Sequence, residues 1–292
     1  MNDNLGDRMK NLEGQESDRR FMPLVPICVR LDGRSFSSFT KGLERPFDKN
    51  FSDLMIDTTK YLVEETNACV GYTQSDEISL IYYSEDQKSQ VFFDGRIQKM
   101  CSVLSSICSV KFNQLMRIIV GGMAVGYVSK REEYEQTDHF LWKDKLNLNP
   151  IFDCRVWVVP NKVEAVNTLV WREFDCTKNS YTQAAREYYS DKELFKKNGS
   201  EKQEMLFQKG INWNNYPSFF KRGTYIQRKK VIRKFTTEEM EKLPEKHEAR
   251  KNPELMVERT EVNVIDMPPI TKVVNRLDVV FNGEVPIVEN NT

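Results

Sequence analysis

Histidine and paired cysteine are what this chain of 292 residues most lacks: it has two His, and its six Cys (Cys28, Cys69, Cys101, Cys108, Cys154, Cys176) form no C-x-x-C pair. That composition argues against a zinc centre and a disulfide framework, and the thiols read as buried side chains in a reducing cytoplasm. An excess of either charge is missing too, with 43 Lys and Arg against 43 Asp and Glu. No global field therefore draws the protein to nucleic acid, and any such contact needs a local patch. The N-terminal stretch MNDNLGDRMKNLEGQESDRR lacks the apolar centre of a signal peptide, and no apolar run is read as long enough to span a membrane. The expectation is a soluble cytoplasmic protein without repeats or low-complexity tracts. With 39% hydrophobic and 11% aromatic residues, it can bury a sizeable core.

Periodicity supplies the element order. Residues 24–31 (LVPICVRL) form an apolar run that stops at Asp32-Gly33, a strand ending in a turn. From 48 to 66, Phe51, Leu54, Met55, Thr58, Tyr61 and Leu62 recur at steps of three and four, an amphipathic helix that Asp48 is placed to cap. Residues 68–72 and 78–83 are strand-like and are joined at hairpin length by TQSDE, which puts Asp76 and Glu77 at the turn. A second helical pattern follows Asp94-Gly95, with Ile97, Met100, Cys101, Leu104, Ile107, Cys108 and Val110 at core spacing; RVWVV at 155–159 is the last strand. This βαββαβ order is that of the ferredoxin-like split unit, an α+β fold. Its antiparallel sheet carries both helices on one face and leaves the other free as a reaction platform.

Residues 118–150, with the small-residue run GGMAVGYV, read as an insertion. Beyond 160 come a long helical stretch at 164–189, a basic strand-like run at 225–235, a charged connector at 237–254 and a last apolar region at 257–288. The division is a catalytic core of residues 1–160 and a helical and C-terminal extension, 161–292, packed on it.

In that topology Asp32, ending the first strand, and Asp76, in the following hairpin, are neighbours. Two carboxylates with substrate phosphates and water are a magnesium-type donor set, and two such ions suit phosphoryl displacement. Gly33 lets backbone and phosphate approach closely and can lend a carbonyl to the metal. Each motif alone is a common solvated turn, and their joint position lifts the functional reading. Arg96 and Lys99 share one face at the start of the second helix, where a triphosphate can dock. The run 227–234 (QRKKVIRK), with Lys221-Arg222 upstream, is the densest basic patch. It reads either as an RNA-phosphate contact or as the solvated face of an edge strand.

Five segments in order, RLDGRSF at 30–36, RPFD at 45–48, GYTQSDEIS at 71–79, FDGRIQK at 93–99 and FDCRVWVVP at 152–160, resemble the tRNA-histidine guanylyltransferase family, especially its bacterial and phage-type branch. The resemblance implies a polymerase-palm core in which Asp32, Asp76 and the Gly33 carbonyl hold two Mg²⁺, with Glu77 supporting them as a third catalytic residue. It implies that Arg45, Ser75, Arg96 and Lys99 hold a nucleotide triphosphate, with Arg30, Arg34, Ser35, Phe36 and Asp76 in the same nucleotide site. Contacts to tRNA fall to Lys178, Asn179, Lys202, Lys221, Arg222, Arg228, Lys229 and Lys230. The implied activity is nucleotide addition to a tRNA 5′ end in the 3′-to-5′ direction by a homotetramer. ATP or GTP activates the 5′-monophosphate, and the 3′-hydroxyl of an incoming nucleotide then attacks it.

One departure stands at 175–180 (DCTKNS), where eukaryotic members carry histidine-isoleucine-asparagine-asparagine and only Asn179 survives. This favours template-dependent 5′-end repair over dedicated guanylylation of histidine tRNA. Two other classes compete: a palm-type nucleotide cyclase, for which a basic RNA surface and a long C-terminal extension are surplus, and a non-catalytic RNA-binding relative, which has no need to keep Asp32, Asp76, Glu77, Arg96 and Lys99 together.

Overall fold

The computed structural model describes residues 4–89, 91–128, 136–252 and 254–289. In chain order the elements are α1 (Asn4–Ser17), β1 (Ile27–Gly33), α2 (Phe36–Phe39), α3 (Lys49–Thr66), β2 (Val70–Gln74), β3 (Glu77–Tyr82), α4 (Ile97–Val128), α5 (Gln136–Leu146), β4 (Phe152–Val158), α6 (Lys162–Arg186), α7 (Asp191–Leu194), α8 (Gly199–Gln208), α9 (Ser218–Arg222), β5 (Thr224–Lys234), α10 (Thr237–Lys242), α11 (Glu248–Lys251), β6 (Met256–Ile265) and α12 (Arg276–Phe281).

The alternation of side chains along β1 sets up two layers of core. Ile27, Val29 and Leu31 face one side and join Ile78, Leu80 and Tyr82 of β3 under α3 and α4. Asp48 caps α3 by accepting the Phe51 amide at 2.9 Å, and the buried Phe51, Leu54, Met55, Thr58 and Leu62 lie on the face the periodicity predicts. Along α4 the row Met100, Leu104, Cys108, Phe112, Met116, Val120 and Met123 is buried at steps of four and three.

Sheet order is β4-β1-β3-β2-β5-β6, every pairing antiparallel. The first four strands are the predicted ferredoxin-like unit. The last two extend the same sheet: β5 pairs with β2 on one side and, through ten residues, with β6 on the other. The basic run is therefore an inner strand and not an edge. Cross-strand acids meet it, Lys230 with Glu258 at 2.9 Å and Lys234 with Glu254, while Arg233 and Arg259 share Glu239 of α10. The charged connector folds into α10 and α11.

Three expectations are corrected. The second sheet face is not free, because Cys28, Val70, Tyr72 and Ile81 at alternate strand positions there are apolar. They are covered by Ala165, Val166 and Leu169 of α6 and by Ile270, Val273, Val279 and Val280 from the C-terminal region. Residues 118–128 are no insertion: they continue α4, whose glycines do not end it, and α5 follows. Residues 129–135 lie outside the described set. Among the described residues one helix is long and apolar enough to cross a membrane, α4 over Ile97–Met123, against the reading that no run reaches that length. Its buried row fills the core beneath the sheet.

Candidate active site

The end of β1 is where the sheet stops covering itself. Asp32 stands on the α6 side of the sheet, opposite Glu77 on β3 and Asp153 on β4. The Gly33 amide donates to the carbonyl of Asp76 at 3.1 Å, fastening the end of β1 to the β2–β3 turn and placing the two predicted aspartates side by side. In that turn Ser75 takes a left-handed conformation (φ 50°) and its hydroxyl donates to Asp76 Oδ1 at 3.1 Å. Gly33 is required by packing: a Cβ there would clash with the Phe36 ring at Cδ2.

Burial pushes the Asp76 carboxyl up, and the negative charge of Asp32 adds to the shift. Among the described residues neither Asp32 nor Asp76 has an ion-pair partner, although two arginines stand close by. Those arginines serve Glu77. Arg172 on α6 grips it with both nitrogens, Nε to Oε1 at 2.5 Å and Nη2 to Oε2 at 2.8 Å, and also donates to Asp175 at 3.0 Å. Arg30 Nε lies 3.9 Å from the same carboxylate, too far for a hydrogen bond. Burial raises the Glu77 carboxyl while Arg172 opposes the shift. Glu77 is thus a braced anchor beside the two aspartates, each of its oxygens bonded to Arg172.

From this edge a cleft of about 450 Å³ opens between the segment before α3 and the middle of α6. Asp32, Arg45, Ser75, Asp76, Glu77 and Asn179 line it, so the structure unites six of the predicted residues. Arg172, Asp175, Gln183 and Arg186 complete its α6 wall. Sequence reasoning missed these four because α6 read only as a long helix. The available signal was Arg172 at a core position of the helical period, where an unpaired charge is costly and so demands a partner.

Other predicted residues lie elsewhere. Phe36 is buried in an aromatic cluster with Phe39, Phe51, Phe112 and Phe152, so its side chain belongs to the core and does not face the cleft. Arg34 and Ser35 are exposed beside it. Arg96 and Lys99 sit where α4 begins. There Phe92 stacks on Tyr82, the partner of Ile27 at the start of β1. That is the opposite end of the strands from Asp32, five residues or roughly 17 Å away. Of the residues expected to meet tRNA, Lys178 is exposed, Lys202 donates to Thr182 at 3.1 Å, Lys221 lies over the Trp213 ring, Arg222 donates to Ser218 at 3.3 Å and Arg228 to Asn67 at 3.3 Å. Lys230 is ion-paired and Lys229 packs against Gly283, which leaves the β5 patch largely spent on its own fold.

No group of three or more His, Cys, Asp or Glu side chains among the described residues could hold a metal ion. The donors on offer are the two unpaired aspartates, and an ion there must take its other ligands from phosphate and water. That suits magnesium and not a closed transition-metal site.

The family model for tRNAHis guanylyltransferase (Thg1) matches residues 6–160, which carry both aspartates. An uncharacterised protein of Acanthamoeba polyphaga mimivirus is 32% identical over 243 residues, spanning 79% of each chain. Among solved structures, a bacterial Thg1-like protein in complex with ATP superposes with a TM-score of 0.63 at 32% identity, covering 76% of this chain and 88% of that one. A bacterial Thg1-like protein in complex with GTP gives 0.63 at 27% identity, covering 92% and 95%. With its α+β, palm-like fold, this chain belongs to the tRNAHis guanylyltransferase family and is a nucleotidyltransferase.

Proposed function

We propose that the protein adds nucleotides in the 3′-to-5′ direction to tRNA 5′ ends by a two-metal mechanism, using ATP or GTP to activate a 5′-monophosphate, and that template-matched repair is its task. The observation that carries this reading is the Gly33–Asp76 hydrogen bond, which holds two uncompensated aspartates at the mouth of a cleft that also contains Arg45. Relatives solved with ATP and with GTP support a nucleotide in that cleft.

Asp32 and Asp76, with the Gly33 carbonyl, would hold the ions. Bound there, magnesium supplies neutralisation of the phosphates and acidification of the attacking hydroxyl. Arg45 supplies a fixed positive charge for the triphosphate, and Ser75 and Asn179 offer hydrogen bonds along the same wall. The Arg172–Glu77 pair holds α6 to β3 and so keeps the two walls in register. Arg96 and Lys99, at the far end of the strands and outside the lining of this cleft, would hold phosphate apart from it, and the assembly is a homotetramer. With only Asn179 left of the eukaryotic four-residue motif, base choice falls to pairing with the opposite tRNA strand.

Purified protein incubated with Mg²⁺, ATP and each nucleotide is given 5′-monophosphorylated tRNAs, intact or lacking the first nucleotide. Extension of the truncated tRNA by the matching nucleotide is expected. Guanine addition to intact histidine tRNA alone would replace repair with the dedicated activity, and no extension of any tRNA would defeat the proposal.

A further inference from the structure

We infer that Trp171 on α6 is a stacking shelf for a base at the 5′ end of the substrate RNA. This rests on the reading just proposed. The indole is 51% exposed although it borders the most tightly bonded part of the site. Two guanidinium groups lie over its ring, Arg172 with Cζ 4.5 Å from the centroid and Arg30 at 5.6 Å. Both reach toward the same carboxylate, Glu77, and about half of Trp171 stays open to solvent beside them. A flat aromatic face backed by cations is the kind of surface on which nucleobases of any sequence stack.

Its surroundings are built for a strand with phosphates. Phe174, three residues on along the same helix face, is 58% exposed. Arg155, opposite Arg30 in the β4–β1 register, is half exposed and shares its charge with the equally exposed Asp153 at 3.4 Å, and Lys178 follows one turn beyond Phe174. Arg30 Nε and Ser79 Oγ, facing each other across β1 and β3, are buried without hydrogen-bond partners among the described residues.

Position selects the occupant. Trp171 is not among the residues lining the cleft, whereas its neighbour Arg172 is, and Arg30, which lies over its ring, is two residues from Asp32 on the same face of β1. The aspartate end of β1 therefore borders both the cleft and, through Arg30, the exposed indole. In the activation step the RNA 5′-phosphate attacks the α-phosphorus of the nucleotide from the side opposite the departing pyrophosphate. With the triphosphate in the cleft, the shelf falls to the RNA.

The test uses a tRNA carrying 2-aminopurine as its 5′-terminal residue, mixed with wild-type protein, Trp171→Leu and Trp171→Phe. The expected result is quenching by wild type and by Trp171→Phe, and its loss in Trp171→Leu. The dissociation constant for that tRNA should weaken about tenfold or more in Trp171→Leu, while ATP and GTP affinity and thermal stability stay within twofold and a few degrees of wild type. Equal quenching and RNA affinity in Trp171→Leu would overturn the inference. Weakened nucleotide binding with unchanged RNA binding would place a free nucleotide's base on the shelf and also overturn it. These readouts need no turnover, so Trp171-dependent quenching in a protein that extends no tRNA would uphold the shelf while sinking the proposed activity.

Discussion

Replacing Arg172 by Met tests how the site is braced. The Arg172 side chain is 7% exposed and that of Glu77 10%, and the pair closes a gap of 95 residues in sequence. Removing the cation leaves Glu77 buried without its hydrogen-bonded counter-ion, a loss worth about 3–5 kcal/mol for a pair of this kind. Asp175, the other acceptor, is 38% exposed and adds little, because water replaces its partner. At ~2–4 °C per kcal/mol, Tm should fall by about 6–20 °C. Glu77→Met in the Arg172→Met background should restore most of that, since an apolar pair of similar volume leaves no buried charge. The assay is thermal and urea unfolding of both single variants and the double variant, read as a double-mutant cycle. A loss below about 1 kcal/mol for Arg172→Met, or a double variant as unstable as the sum of the singles, would refute the claim that this pair joins α6 to the sheet.

Three further outcomes follow from the same geometry. Gly33→Ala should cost about 1–3 kcal/mol, because the added methyl meets the Phe36 ring; wild-type stability in denaturant titration would count against this packing. Asp76→Asn should keep or raise Tm in EDTA by removing a charge that burial and Asp32 oppose, and should lose the Mg²⁺-dependent rise in Tm expected of wild type; an equal rise in both proteins would place the ion elsewhere. Hydrogen bonds from Arg233, then the Thr236 amide and Arg259, hold the Glu239 carboxyl well below the usual range. Its stabilisation is complete above the unfolded-state value and is lost as pH falls through the depressed one. Amides of β5 and β6 should therefore lose protection in hydrogen exchange on strong acidification, and Glu239→Gln should show the loss already at pH about 7; identical protection in that variant would contradict the clamp.

The local part of the site was legible in sequence because it rests on local signals: an apolar run that stops at Asp-Gly, a hairpin-length gap carrying Ser75 and Asp76, and Asp48 ahead of a helical period. Their adjacency followed from topology alone. What escaped depends on long-range partners. Arg172 carries no mark in sequence that its partner is Glu77. The pairing of β5 with β2 and β6 depends on contacts that no local pattern encodes, and the acids that neutralise its basic residues sit on β6, just ahead of it at Glu254, and on α10. Phe36 misled by its place in a motif, since its aromatic bulk is spent on a core shared with Phe112 and Phe152. Residues 118–150, with the run GGMAVGYV, read as an insertion, whereas α4 runs through that stretch to Val128.

In the proposed mechanism Asp32 and Asp76 act together on a divalent metal at the transferring phosphate. A truncated tRNA bearing a 5′-triphosphate removes the activation step, so single-turnover extension across a Mg²⁺ titration reads transfer alone. Asp32→Ala and Asp76→Ala should each slow it by about a thousandfold or more, corresponding to several kcal/mol of transition-state stabilisation, with tRNA affinity and Tm kept. Extension near the wild-type rate by either variant, with an unaltered Mg²⁺ dependence, would contradict it.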